Sequence, residues 1–326
     1  MTNEKTVLVV AHGDLDGIVS AALEMLRYGL RPEITEIKFT QPYLIDKIEV
    51  DENIKYVFVV DIAVNNRDTE MTRRFIEEIS GDKLVDWTDH HQGWSEILAQ
   101  LNKEQRRLFS IFEDSQSAAR IIAAESVIPG AEDWVSDANA SDTRQGKLSP
   151  RGRLIEEAMK ANMSDDTVRE SAVRWIVNGC AVIRKTVGGS KEDSDYERLQ
   201  EAQGKYQKVQ EITEKLAERY KVCDNGVAVV DVSAVEEDYD RTQLLLKGEQ
   251  MSPTKTAVLL GKNPEGEEVI TVATMDKSKN LVNLFGLPSG APFRVSLPVA
   301  SGWTVKKVLN RLERAGAMNS EKGEKI

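Results

Sequence analysis

The stretch VLVVAHGDLDG, residues 7–17, decides the fold. Val7 to Ala11 form a β-like apolar run, and directly after it come His12, Asp14 and Asp16, interleaved with Gly13 and followed by Gly17. Two later stretches end the same way. YVFVVDIAV, residues 56–64, closes its apolar run on Asp61, and LVDWTDHH, residues 84–91, closes on Asp89, His90 and His91. The chain contains three histidines, and all of them fall in these clusters. Helical patterns separate the runs: IVSAALEMLRYG (18–29), where Gly17 is expected to permit a tight turn and Gly29 to stop the helix, and TEMTRRFIEEIS (69–80). With EIKFT (36–40) as a further strand, the alternation implies an α/β domain whose parallel sheet is covered by helices on both faces. Ligands of such sheets bind beyond the carboxyl ends of the strands, so one crevice would receive Asp14, Asp16, Asp61, Asp89 and the imidazoles. The plainer alternative is that each aspartate caps a helix.

Carboxylates mixed with imidazoles suit manganese or a related octahedral ion, whereas a closed zinc site more often recruits cysteine. The fourth acidic candidate lies in SDANASDT, residues 136–143. If residues 131–141 are helical, Val135, Ala138 and Asp142 share a stripe while Asp137 shares another face with Ser141. Asp142 is therefore expected on the buried face and Asp137 in solvent.

These motifs resemble the DHH phosphoesterase superfamily, which includes RecJ nucleases, oligoribonucleases, cyclic-dinucleotide phosphodiesterases and exopolyphosphatases. The H-x-D-x-D-G run is present as His12 to Gly17, the lone strand-ending aspartate as Asp61, and the name-giving triplet as Asp89-His90-His91. A Ser-rich helix start follows in SQSAARIIAAE (115–125), and Asp142-Thr143 matches the fourth motif. The resemblance implies two Mn2+ ions, with Mg2+ or Co2+ as substitutes. His12, Asp14 and Asp61 would hold one ion, Asp16, Asp61, His90 and Asp142 the other, with Asp61 bridging. Two such ions roughly 3.5–4 Å apart can acidify a water and neutralise a phosphodiester under in-line attack. His91 would donate to the scissile phosphate, Asp89 would orient an imidazole, and Ser117 and Arg144 would contact substrate.

The rest of the chain extends the resemblance and departs from it. Helical patterns in RLIEEAMKAN (153–162) and SAVRWIVNGCAVIRKTV (171–187) complete a catalytic domain over residues 1–195. Leu199, Ala202, Tyr206, Val209, Leu216 and Tyr220 recur at three- and four-residue steps, predicting one long connecting helix of ~25 residues over 196–221. GVAVVDVSAV, TAVLLGK and EEVITVATM read as strands of a smaller α/β domain over residues 222–316, with a turn at NPEGEE. The final helix of that domain presents Val305, Val308, Leu309 and Leu312 on one face, and the charged residues 317–326 are expected to be disordered. The family usually bears a Gly-Gly-Gly-His loop in this domain. Here the loop is Gly286-Leu287-Pro288-Ser289-Gly290, with no histidine beyond residue 91. Gly286, Ser289 and Gly290 could still cradle a phosphate through backbone N–H groups, with Lys277, Lys279, Asn280 or Arg294 supplying polar contacts; the alternative is a simple turn.

Composition narrows the function classes. A net charge of −11 and a pI near 5.1 oppose a main role on long duplex DNA, which needs a basic stripe. With two cysteines, no CxxC, no signal-like start and no apolar stretch near ~18 residues, the reading is a cytoplasmic protein without disulfides or membrane contact. The expected partner is a short single-stranded oligonucleotide or dinucleotide, and a homodimer stays open. The resulting expectation is a phosphodiesterase releasing mononucleotides from oligonucleotide ends. The alternatives are a dinucleotide phosphodiesterase, an exopolyphosphatase, or a scaffold that has kept the fold without catalysis.

Overall fold

The computed structural model describes residues 4–65, 68–81, 83–101, 108–163, 165–182, 191–263, 266–287 and 293–323. The chain forms two compact units, Met1–Lys205 and Tyr206–Ile326.

In the first unit, strands β1 (Val7–His12), β2 (Thr35–Thr40), β3 (Tyr56–Val60), β4 (Leu84–Asp89) and β5 (Phe109–Ile111) form one sheet in the order β2-β1-β3-β4-β5. Every pairing is parallel. The strands are apolar on both faces because both faces are covered. Val7, Val9 and Ala11 of β1 join Phe58 and Val60 of β3 in one core layer, while Leu8 and Val10 join Val57 and Val59 in the other. The period of two thus splits each strand between two cores.

Helix α1 (Leu15–Tyr28) is the centrepiece of the first layer, buried from Leu15 to Leu26. It packs against α4 (Ala118–Glu125), α5 (Glu132–Thr143) and α7 (Asp166–Val182), while α2 (Thr69–Ile79) and α3 (Ser95–Gln100) cover the opposite face. Gly29, at φ 62°, ends α1 as expected. Gly17 has a different role from the turn expected of it. It lies within α1, and a Cβ there would overlap the His12 carbonyl, so its missing side chain lets the helix start against the end of β1. α6 (Pro150–Lys160) and α8 (Lys191–Gly204) complete the unit.

The long connecting helix is a second correction. α8 stops at Gly204, and α9 (Tyr206–Ala217) begins after Lys205. Glycine is a poor helix interior, and the apolar stripe serves two cores: Leu199 and Ala202 belong to the first unit's, Leu216, Ala217 and Tyr220 to the second's. Residues 196–221 are therefore divided between the units rather than forming a separate linker.

The second unit carries a mixed sheet in the order β10-β9-β8-β7-β6. β7 (Ala228–Asp231) and β8 (Thr256–Lys262) are parallel, joined through α10 (Arg241–Met251). β6 (Lys221–Val222), β9 (Glu268–Thr274) and β10 (Arg294–Pro298) pair antiparallel to their neighbours. α11 (Leu281–Phe285) and α12 (Val305–Gly323) pack with β10 over one face of this sheet. α12 runs through residues 317–323, which were expected to be disordered; the sequence there has no proline to stop a helix. Among the described residues, no helix is long and apolar enough to cross a membrane.

Candidate metal centre

The order β2-β1-β3 reverses direction between β1 and β3, and the crevice at such a reversal is where doubly wound sheets place their ligands. His12 ends β1, Asp14 caps α1 just beyond it, and Asp61 follows β3. Next along the sheet, Asp89 ends β4 and is followed by His90 and His91. Asp142 arrives from the last turn of α5.

Asp61 is the hub. It is buried and takes φ 57°, a left-handed conformation that aspartate tolerates better than most residues. One carboxylate oxygen, Oδ2, lies 3.8 Å from His12 Nδ1, and the other, Oδ1, lies 3.4 Å from His90 Nε2. Around His90 Nε2 stand Asp16 Oδ2 at 3.6 Å and Asp142 Oδ2 at 3.7 Å. Around His12 Nδ1 stands Asp14 Oδ2 at 2.8 Å.

The ring orientations follow from neighbours that the sequence did not single out. His90 Nδ1 faces the Ser115 carbonyl at 3.3 Å, which leaves Nε2 toward the carboxylates. His12 Nε2 meets Gln41 Oε1 at 3.0 Å, which leaves Nδ1 toward Asp14 and Asp61. Hydrogen bonds of this kind fix the tautomer of a ligating imidazole. Gln41 follows β2 as Asp61 follows β3, so its place just past an apolar run was the available signal. His91 differs: its Nδ1 lies 2.8 Å from Asp89 Oδ1, and Trp94 Nε1 donates to Asp89 Oδ2 at 2.7 Å. Both Asp89 oxygens are thereby engaged away from the hub.

The simple cap reading holds for part of the set. Asp14 accepts from the Gly17 N–H at the start of α1. Asp16 accepts from the Ala118 and Ala119 N–H groups at the start of α4 and from Ser20 Oγ. Asp61, Asp89 and Asp142 cap nothing.

Two expectations on and beside α5 need correction. Asp137 is buried, not solvated: it accepts from the Ser149 N–H and hydroxyl, and Gly152 makes room for it where a Cβ would overlap its carboxylate. Asp142 is the partly exposed one, yet it is the one beside His90. Ser117, expected at the substrate, is fully buried; its hydroxyl caps α4 through the Arg120 N–H and donates to Asn139 Oδ1. Arg144 is exposed just after Asp142, in the left-handed conformation at the end of α5.

Burial and mutual repulsion push the Asp61 carboxyl well above the ordinary range, with Asp16, Asp14, Asp142 and Asp89 as the repelling charges. Burial raises Asp16, and it raises Asp142 to about 6. Burial opposes ionisation of Asp14 too, but His12 and the Gly17 N–H hold it below the usual value. Burial disfavours a charged His91, but Asp89 outweighs it and lifts the imidazole to about 9.

These residues fit a divalent ion. Asp61 Oδ1 and His90 Nε2 are buried and have no hydrogen-bond partner. The 3.4–3.8 Å gaps around them are too long for hydrogen bonds. Two donors each about 2.0–2.3 Å from one ion stand about 2.8–3.8 Å apart for ligand angles of about 90–110°. Among the described residues, His12, Asp14 and Asp61 form one group able to hold an ion, and Asp61, Asp89, His90 and His91 another. In the second group Asp89 and His91 satisfy one another, which leaves Asp16 and Asp142 as the better partners of Asp61 and His90.

In the second unit the residues expected at substrate have local partners. Gly286, at φ 66°, ends α11, and Asn280 caps its start. Lys279 Nζ donates to the Thr254 carbonyl and Thr256 Oγ1 beside Asp276, and Arg294 donates to Thr242 Oγ1. Lys277 is exposed. Ser289 and Gly290 lie outside the described residues.

No protein-family model matches the sequence, and no curated protein is significantly similar to it. Solved structures do match. RecJ from Thermus thermophilus in complex with Mn2+ has a TM-score of 0.56 at 13% identity, over 96% of this chain and 52% of that one. The chain thus spans about half the length of that RecJ. The DHH domain of a member of the s1p family of ribosomal proteins has a TM-score of 0.55 at 17% identity, over 95% of this chain and 86% of that one. An exonuclease RecJ bound to manganese has a TM-score of 0.51 at 13% identity, over 90% and 86%. The chain shares the fold of these RecJ and DHH-domain structures.

Proposed function

We propose that the chain is a metal-dependent phosphodiesterase that hydrolyses short single-stranded oligonucleotides to mononucleotides. The observation that carries this reading is Asp61, which turns one oxygen toward His12 and the other toward His90. His12, Asp14 and Asp61 would hold one ion, and Asp16, Asp61, His90 and Asp142 would hold the second. Manganese is the first choice, in keeping with the RecJ structures bound to it. When bound, two such ions neutralise the phosphodiester and activate water for in-line attack.

The side chains prepare that site. Ser115 and Gln41 fix the ring faces of His90 and His12. Trp94 pins Asp89, Asp89 accepts the Nδ1–H of His91 and favours its charged form, and His91 Nε2–H would then be the donor to a phosphoryl oxygen. Asp16 ties the strand-end ligands to the packed start of α4, which holds the centre on that helix.

The test is a panel of end-labelled short RNA, short DNA, a linear dinucleotide, a cyclic dinucleotide and polyphosphate, each with manganese and with chelator. Manganese-dependent release of mononucleotides from the two- to five-residue strands is expected. Failure of every phosphodiester to react overturns the reading.

A further inference from the structure

The charge of the chain is unevenly divided. The second unit, residues 206–326, has seventeen basic and seventeen acidic residues, so the whole net charge of −11 belongs to the first. Within the second unit, the span from Lys277 to Arg314 holds seven basic residues against a single acid, Glu313. Such asymmetry marks an anion-binding region inside an acidic protein.

Part of this charge lines a cavity of about 820 Å³ formed by α11, the turn before α12, and α12 itself. Its lining includes Asn283, Trp303, Lys307, Asn310, Arg311 and Arg314, and no carboxylate. The helix explains the sorting: Val308 and Leu312 are buried in the sheet's core, while Lys307, Asn310, Arg311 and Arg314 recur at three- and four-residue steps on the other side. The three cations span about 10 Å along the axis, enough for neighbouring phosphates. Among the described residues neither Arg311 nor Arg314 has a carboxylate within ion-pair distance, and Lys307 Nζ donates to the Gly302 carbonyl. The Arg311 guanidinium lies 5.9 Å from the Trp303 ring centre and 6.0 Å from that of Phe285, and Trp303 meets Phe285 edge-on. Trp303 is half-buried, with part of its ring in the cavity wall.

Cations for phosphates, an aromatic ring for a base and amides for base edges are the elements of single-strand recognition. We propose that this cavity binds a nucleoside-phosphate segment of single-stranded nucleic acid, with Lys307, Arg311 and Arg314 on its phosphates and a base against Trp303. The site is made of second-unit residues alone and binds without metal. It goes beyond the proposed hydrolysis and does not depend on it.

The experiment is fluorescence anisotropy of a labelled eight-residue single strand with the full chain in EDTA, so that no turnover occurs. Three cations predict a log–log salt slope near −2, hence about 20-fold weaker binding at 200 mM than at 50 mM salt. Lys307→Ala with Arg311→Ala should flatten this to about 3-fold and weaken binding at low salt by at least about 10-fold. Both positions are exposed, and thermal melts verify that the variants fold. Trp303→Phe, which keeps a ring against Phe285, should retain most binding, and Trp303→Leu should lose most of it. An unlabelled strand should displace the label at lower phosphate concentration than polyphosphate does. Unchanged affinity in the double variant overturns the proposal, as does polyphosphate competing equally well with no effect of Trp303→Leu. Binding that persists in EDTA while the hydrolysis panel fails sinks the proposed function and leaves the cavity standing.

Discussion

The first unit gathers two crowds of carboxylates, each around a buried member, against one sheet, and it balances them differently. Beyond the carboxyl ends of the strands stand Asp14, Asp16, Asp61, Asp89 and Asp142 with three imidazoles and, among the described residues, no arginine or lysine in ion-pair contact. Toward the other end of α1 and β4 stand Glu24, Asp86 and Glu125, with Arg27 3.0 Å from Glu125 and 3.6 Å from Glu24. Tyr28 donates to Asp86 there, and Ser110 donates to Glu125. Acid crowding is therefore no mark of a metal by itself. The mark is the missing protein cation together with buried donors that face one another at ligand spacing.

The sharpest break between the clusters should appear in catalysis. His90→Ala should lose bound metal and about 10³-fold or more of turnover, as expected when a charge-stabilising group is removed. His91→Ala should keep near-normal metal and lose turnover alone. Glu24→Gln should keep both. Metal analysis beside single-turnover rates separates the three, and equal metal loss in both histidine variants refutes their different roles.

Stability should divide the clusters the other way. At about pH 9, where Glu24 and Glu125 are both ionised, Arg27→Met strands them without their cation and should destabilise the fold by about 2–4 kcal/mol in urea titrations, near the usual cost of leaving a buried charge unpaired. A loss under about 0.5 kcal/mol, the size of an ordinary surface substitution, would show that Arg27 does not balance that cluster.

A smaller effect concerns pH. Burial pushes Glu24 up to about 8 from a value near 4.5, with Asp86 adding to the shift and Arg27 opposing it. A carboxyl raised on folding favours the folded state below its unfolded pKa, and that contribution is lost as pH rises toward the folded pKa. Between about pH 5 and pH 8, with saturating metal, the parent should lose on the order of 2–3 kcal/mol more stability than Glu24→Gln. Parallel curves for the two proteins would remove Glu24 as the cause.

The two clusters were unequally legible in the sequence. His12, Asp61 and His90 each sit directly after an apolar run, so strand ends and candidate ligands announced one another. Glu24 and Asp86 lie inside a helix and a strand, where nothing local distinguishes a buried acid from a solvated one. The same limit explains Asp137 and Asp142. Helical spacing sorts residues into faces, but which face is covered depends on where α6 begins, and Ser149 at that point captures Asp137. β5 escaped notice because it is three residues long, and the break at Lys205 because the apolar stripe continues in step across it. Ser117 shows a polar motif residue whose atoms go to a helix cap, a use that spacing alone cannot separate from substrate contact.

The claim that the cluster is a two-ion centre hinged on one shared carboxylate is tested most directly by counting bound manganese at equilibrium dialysis. The parent and Glu24→Gln should each hold about two Mn2+ per chain at saturation. Asp61→Ala should hold fewer than about one at the same free concentration, because both ions lose a ligand. An Asp61→Ala protein that folds like the parent and still binds two Mn2+ with similar affinity would contradict the account.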